Sequence, residues 1–204
     1  MSKYTLYYSP GACSISPHIA LREAELSFDL VRVDLRAKKL ADGGDFLAVN
    51  PKGYVPALRL PDGNVLTEGA VMVQYIADQK PSAHLAPPAG TMERYRLQEW
   101  LNFIATELHK GTSPLYNALA NDDYKTQLKQ RLALRWAILA GGVHKTPFLM
   151  GDRFSVADGY AFYVLKSWVG AHKQELTPWP ELVDYHARLA ARPSVVAALA
   201  AEAG

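Results

Sequence analysis

The segment from Lys80 to Thr91, "KPSAHLAPPAGT", limits the possible folds of this 204-residue chain more than any other stretch. Its three prolines and one glycine prevent a regular helix or strand from running through it. Before the segment, strand and helix patterns alternate, whereas after it nearly every pattern is helical. We therefore predict two domains, 1–80 and 92–204, joined by a linker over 81–91.

The first domain is predicted to be α/β. The runs "YTLYY" (4–8) and "FDLVRVDL" (28–35) are typical of strands, and "SPHIALREAEL" between them is typical of a helix. A second pair of strands is divided by Asp62-Gly63, which is a strong hairpin signal, and a helical pattern follows at 70–79. This order predicts a mixed four-stranded sheet with helices packed on it.

The second domain is predicted to be all helical. Ser155 and Asp158 stand three residues apart ahead of an apolar run, which is a capping-box pattern for the start of a buried helix. The helical patterns cover four stretches: 92–110, 122–141, 155–170 and 186–203.

Composition excludes several classes of partner. The formal net charge is only +2 and the basic residues are scattered among acids, so neither nucleic acid nor a charged membrane surface is expected. No apolar run approaches the roughly 20 residues that cross a bilayer, and the first residues lack a signal-peptide pattern. We therefore expect a cytoplasmic protein that does not associate with membranes.

Cys13, the only cysteine, lies at the predicted junction of a strand and a helix in "SPGACSIS". Unpaired N–H groups and the positive end of the helix dipole favour the thiolate there. A small buried side chain is the alternative interpretation. Ser16 stands where a dithiol oxidoreductase has its second cysteine, so any redox chemistry requires an external thiol.

For the other candidate groups, the neighbouring sequence leaves two interpretations open. Glu68 at a predicted helix start could hold an ammonium group, or simply complement the helix dipole. Asn102, Thr106 and His109 share one face of a predicted helix, which is either a polar site or a solvated surface. Neither the six histidines nor the carboxylates show the spacing of metal ligands, so no metal is expected.

Five ordered blocks together resemble the bacterial beta-class glutathione S-transferases, over essentially the whole chain. They are "YYSPGACS", "VNPKGYVPAL", "LTEGAVMVQYIAD", "EWLNFIATELHKG" and "GDRFSVAD". The resemblance implies a thioredoxin-like N-terminal domain, an all-helical C-terminal domain and a homodimer.

The resemblance also implies roles in the first domain. Cys13 is implied to lie beside the sulfur of glutathione and to be able to form a mixed disulfide with it. Pro56 is implied to follow a cis peptide bond, and the Val55 backbone to pair with the cysteinyl part of glutathione. Glu68 and Gly69 match the residues that hold its γ-glutamyl end.

Further residues follow from the same resemblance. Lys38 matches the lysine that reaches the glycyl carboxylate, with Lys39 as a near competitor. His109 is implied to lie near the sulfur from the helical side, and Tyr8 matches a tyrosine near the site. Polar residues of the same helix complete the site, some of them from the partner subunit: Asn102, Thr106 and Glu107.

The implied function is conjugation of the glutathione thiolate to small hydrophobic electrophiles, as in detoxification, with glutathione as co-substrate and no metal. Cys13 and His109 are the expected catalytic residues. Neutral His109 would accept a proton, or protonated His109 would stabilise the anion. The electrophile pocket is expected in the helical domain, around Pro114, Leu115, Tyr116 and Trp168.

Two other functions are consistent with the sequence. The first is a glutathione-dependent thiol transferase or peroxidase, in which Cys13 reacts by thiol–disulfide exchange. The second is a non-catalytic ligand-binding protein that keeps the fold.

Overall fold

The computed structural model describes residues 3–203, which form two compact units. Of the described residues, the first unit contains 3–86 together with 192–203, and the second runs from Pro87 to Ala191. Among residues 3–203, no helix combines the length and the apolar character needed to span a bilayer.

The regular elements are as follows. The strands are β1 (Tyr4–Tyr8), β2 (Phe28–Asp34), β3 (Lys39–Leu40), β4 (Ala57–Arg59) and β5 (Val65–Thr67). The α-helices are α1 (Ile15–Glu23), α2 (Gly69–Gln79), α3 (Met92–Phe103), α4 (Lys110–Thr112), α5 (Asp122–Gly142), α6 (Val156–Gly170), α7 (Pro180–Ala190) and α8 (Pro193–Glu202). A π-helix, Ile104–His109, joins α3 to α4.

The first unit contains a mixed sheet with the strand order β3-β2-β1-β4-β5. β1 pairs in parallel with β2, and the other neighbours are antiparallel. The predicted thioredoxin-like arrangement and the hairpin at Asp62-Gly63 are confirmed. The structure adds β3 to the four predicted strands. Its two residues are too few to produce a recognisable alternation in the sequence.

The central strand β1 is buried on both sides of the sheet. Leu6 pairs with Leu58 on β4, and both side chains are fully buried. Because successive side chains alternate, Tyr7 points to the opposite face. There it packs in a cluster with four other apolar side chains: Val33, Phe46, Val55 and Ala57. This cluster holds the loop before β4 against the sheet.

Helix α8 packs in the first unit, whereas the domain predicted from the sequence over residues 92–204 included it in the second. His18 on α1 is buried, and its Nδ1 lies 2.9 Å from Glu202 Oε1. Arg192 donates to both carboxylate oxygens of Glu23, over 2.7 and 2.8 Å. These contacts join residues far apart in the chain, so the Ala-rich sequence of α8 does not predict them.

The second unit is all helical, as predicted. Asp158 is buried and accepts from the Ser155 backbone N–H over 2.7 Å, which confirms the capping-box contact at the start of α6. Its other oxygen accepts from the Leu149 N–H and from the Tyr185 hydroxyl. Burial raises the pKa of Asp158.

Candidate active site

The junction between β1 and α1 places Cys13 two residues before the helix, as the sequence predicts. The connecting loop turns at Gly11, whose φ of +76° favours glycine. The buried Ser14 hydroxyl closes the loop by accepting from the Ser9 N–H and donating to the Ser9 carbonyl, at 3.2 and 3.3 Å. The Cys13 thiol donates to the Val55 carbonyl oxygen, 3.4 Å away.

The loop that brings Val55 to Cys13 is organised by Asn50, which is only 2% exposed. Its side-chain amide donates to the Tyr54 carbonyl over 2.7 Å, and its backbone carbonyl accepts from the Gly53 N–H over 2.9 Å. The Val55–Pro56 peptide bond is cis, which confirms the expectation from the resemblance.

The start of α2 lies beside this loop. Pro56 Cγ is 3.9 Å from the position that a Cβ would take on Gly69. Glu68 precedes the helix with a φ of +69°, an unusual conformation for a residue with a side chain. The first N–H groups of α2 have no partner within the helix, so Glu68 and Gly69 present a carboxylate next to N–H donors.

Lys38 is better placed than Lys39 to contribute to this region. Its Nζ donates to the Gly53 carbonyl over 2.8 Å, and its side chain is half-buried over the Tyr54 ring. Lys39 is exposed in β3. Tyr8, the last residue of β1, is 6% exposed and immediately precedes the Cys13 loop. Within the first unit, Cys13, Gly69 and Lys38 therefore each contact the loop that precedes β4.

In the second unit, His109 is half-buried against α6. Its Nδ1 lies 2.8 Å from the Tyr160 hydroxyl, and its ring meets the Tyr163 ring edge-to-face at 4.8 Å between centroids. Burial, with the nearby Lys110 charge, lowers the pKa of His109 to about 4. The imidazole is therefore neutral at pH 7, so the protonated alternative is not supported.

The other polar residues predicted on this helix separate from His109. Asn102 and Thr106 are exposed, and the Thr106 hydroxyl donates to the Asn102 carbonyl over 2.9 Å. Glu107 accepts from Arg135 Nε on α5, over 3.0 Å. The predicted common face assumes α-helical spacing throughout, whereas the backbone from Ile104 to His109 is π-helical and winds more residues into each turn.

Two residues, one in each unit, were not singled out from the sequence. Lys52 donates to Glu68 Oε1 over 2.6 Å, and Tyr160 contacts His109. Lys52 lies within the "NPKGYVPAL" block, which was a usable signal, whereas nothing marked Tyr160 among the aromatic residues of α6. Within the described part of the chain, no three His, Cys, Asp or Glu side chains are grouped so as to hold a metal ion.

Two of the residues expected around the electrophile pocket differ in exposure. Tyr116 is 59% exposed, and its hydroxyl lies 3.0 Å from the Ser167 hydroxyl. Trp168 is 4% exposed and packs against Trp136, with ring centroids 5.1 Å apart. Trp168 therefore belongs to the core of the second unit.

Comparisons with known proteins agree with this architecture. The family model for the N-terminal domain of glutathione S-transferase matches residues 11–79, and the model for its C-terminal domain matches 97–202. Glutathione S-transferase GstA of Escherichia coli O157:H7 is 44% identical over 197 residues, covering 97% of this chain and 98% of GstA.

Two solved structures are similar over nearly the whole chain. A sphingomonad glutathione S-transferase complexed with glutathione has a TM-score of 0.92 and 42% identity, covering 98% of each chain. The beta-class glutathione S-transferase of Sphingomonas chungbukensis has a TM-score of 0.91 and 45% identity, covering 97% of this chain and 98% of that one. The chain therefore belongs to the glutathione S-transferase family, within its bacterial beta class.

Proposed function

We propose that this protein conjugates the thiol of glutathione to small hydrophobic electrophiles. The observation that carries the proposal is the convergence, within the first unit, of Cys13, the cis Val55–Pro56 bond and the start of α2. The glutathione bound to the sphingomonad relative and the names of the curated relatives support the same co-substrate.

The first unit offers a partner for each part of glutathione. The Val55 backbone pairs with the cysteinyl backbone, which directs the sulfur toward Cys13. Glu68 binds the α-ammonium of the γ-glutamyl end, and the Gly69 N–H faces the α-carboxylate of the same end. Lys38 receives the glycyl carboxylate. Tyr8 borders the site from the end of β1.

We place conjugation before thiol–disulfide exchange because the curated relatives are named glutathione S-transferases. In exchange, the Cys13 thiolate would itself react. The Cys13 thiol lies 3.4 Å from the Val55 carbonyl oxygen, beside the position proposed for the glutathione sulfur. In conjugation the S–H bond of glutathione breaks, its proton passes to solvent, and its sulfur bonds to the electrophilic carbon, which releases its leaving group.

His109 acts in this proposal as a neutral hydrogen-bond donor. With a pKa of about 4, it holds a proton far more weakly than a thiol, whose usual pKa is about 8.5. It is therefore a poor acceptor for the glutathione proton. A neutral imidazole with its proton on Nε2 can instead donate to a sulfur anion.

The exposed residues of the second unit fit a role across a subunit interface. We propose that Asn102, Thr106 and Glu107 complete the site of the partner subunit in a homodimer, and that the enzyme works in the cytoplasm. Sedimentation analysis of the purified protein tests the dimer, since a species of one chain at micromolar concentration contradicts it.

The decisive experiment compares the wild type with Cys13→Ala. Glutathione binding is measured by calorimetry, conjugation with chlorodinitrobenzene, and thiol transfer with a glutathione mixed disulfide. We expect the wild type to catalyse conjugation, and the conjugation rate of Cys13→Ala to lie within about threefold of the wild-type rate. A rate abolished together with thiol transfer would favour the exchange enzyme. Binding without turnover of any electrophile in a broad panel would favour a non-catalytic binding protein.

A further inference from the structure

The side chain of Lys52 lies against the start of α2. Its Nζ donates to Glu68 Oε1 over 2.6 Å and to Thr67 Oγ1 over 3.1 Å. The Lys52 side chain is 52% exposed and that of Glu68 66% exposed. Exposed ion pairs contribute little to stability, so a ligand can separate this one at small cost.

The backbone of Lys52 is held more firmly than its side chain. Its N–H donates to the side-chain oxygen of the buried Asn50 over 3.1 Å. The next residue, Gly53, adopts a φ of +67° and bonds back to the Asn50 carbonyl. This turn fixes the backbone position from which the Lys52 side chain extends toward Glu68. The ammonium group can therefore change partners while the Lys52 backbone stays in place.

Three groups of complementary character therefore meet at this point: the Glu68 carboxylate, the Lys52 ammonium and the Gly69 N–H at the start of α2. A carboxylate binds an ammonium, whereas an ammonium beside a helix N-terminus binds a carboxylate. Together they match a free α-amino acid group, which carries both charges on one carbon. The γ-glutamyl end of glutathione is such a group.

We propose that Lys52 recognises the α-carboxylate of the γ-glutamyl end by exchanging ion-pair partners, an inference that rests on the proposed function. Without ligand, Lys52 is paired with Glu68. When glutathione binds, its α-ammonium replaces Lys52 at the Glu68 carboxylate, and Lys52 turns to the α-carboxylate. Each charge keeps a partner in both states. A thiol peptide without the α-carboxylate leaves Lys52 unpaired and is disfavoured.

Calorimetric titrations of the full chain with two ligands test this exchange. The first ligand is glutathione, and the second is an analogue in which γ-aminobutyryl replaces γ-glutamyl, so that only the α-carboxylate is missing. The variants are Lys52→Met, the conservative Lys52→Arg, and Lys3→Met as a matched control. Lys3 pairs with Asp29 over the same 2.6 Å, with a similar exposure of 49%.

We expect Lys52→Met to weaken glutathione binding about tenfold, because a charge-assisted hydrogen bond is lost. Lys52→Arg and Lys3→Met should bind glutathione within about twofold of the wild type. Lys52→Met should bind the analogue at least as well as the wild type does, because no ammonium competes for Glu68.

Two results would overturn the proposal: unchanged glutathione binding by Lys52→Met, or an equal loss for both ligands. Because the side chain is exposed, the variant is expected to fold, and its melting temperature is measured beside that of Lys3→Met. Failure of the wild type to bind glutathione would overturn the proposed function as well. Normal wild-type binding with an unaffected Lys52→Met overturns only the role of Lys52.

Discussion

His109 lies half-buried between Tyr160 and Tyr163 of α6, and this burial, with the Lys110 charge, lowers its pKa to about 4. The unfolded chain, in which the ordinary value of about 6.5 applies, binds this proton more readily. The folded state is therefore stabilised by neutral His109 above about pH 6.5, and this stabilisation is lost as the pH falls toward 4.

Replacing His109 by Gln should reduce the acid sensitivity of the protein. We expect the melting temperature of the variant to fall less than that of the wild type between pH 7 and pH 4.5, because the variant has no imidazole to protonate there. The comparison cancels the contributions of His172 and His186, whose pKa values are also lowered by burial. An equal fall in both proteins would contradict the assigned pKa.

The Tyr160 hydroxyl lies 2.8 Å from Nδ1 of His109, so the two groups share a hydrogen bond. If the hydroxyl donates to Nδ1, the proton lies on Nε2, as the proposed hydrogen-bond donor requires. Tyr160→Phe removes this hydrogen bond while keeping the ring.

We therefore expect Tyr160→Phe to lower kcat about three- to tenfold, the loss of one hydrogen bond, with little change in KM for glutathione. Steady-state conjugation kinetics measure both. Phe162→Leu on the same helix alters packing without touching this hydrogen bond and serves as the control. A kcat that drops equally in both variants would mean that Tyr160 acts only through packing.

At the scale of single elements, helix α8 is held to α1 through a defined chain of hydrogen bonds. Arg22 Nε donates to His18 Nε2 over 2.9 Å, and arginine cannot accept. The His18 proton is therefore on Nδ1, from which it is donated to Glu202 Oε1. A buried donor is left without its charged acceptor if this contact is broken.

Glu202→Gln should lower the free energy of unfolding by about 1–3 kcal/mol, because the hydrogen bond loses its charged partner in a buried setting. Glu99→Gln removes an exposed carboxylate that pairs with Arg96, and should change stability by less than about 0.5 kcal/mol. Urea unfolding followed by circular dichroism measures both values. Equal stabilities of the two variants would show that α8 is held by apolar packing alone.

For the whole molecule, the sequence predicts features that depend on near neighbours. The Asp62-Gly63 hairpin and the capping contact of Asp158 are of this kind, and both appear in the structure. The block that contains Cys13 likewise places a thiol before a helix. A few residues determine each of these features, so a single chain is enough to reveal them.

Contacts between distant residues could not be predicted from the sequence. Tyr160 meets His109 across 51 residues, and Glu202 meets His18 across 184. These pairs come together only in the folded chain, and the sequence around one residue does not indicate its partner. The π-helix that ends at His109 changes the face on which its residues lie, whereas a prediction from the sequence assumes the regular α-helical period of 3.6.

A crystal structure of the protein with glutathione tests the central claim most directly. We expect the cysteinyl backbone of glutathione to pair with Val55, its sulfur to lie beside Cys13, and its γ-glutamyl ammonium to contact Glu68. Glutathione bound away from these three residues, or with its sulfur directed away from Cys13, would contradict the account.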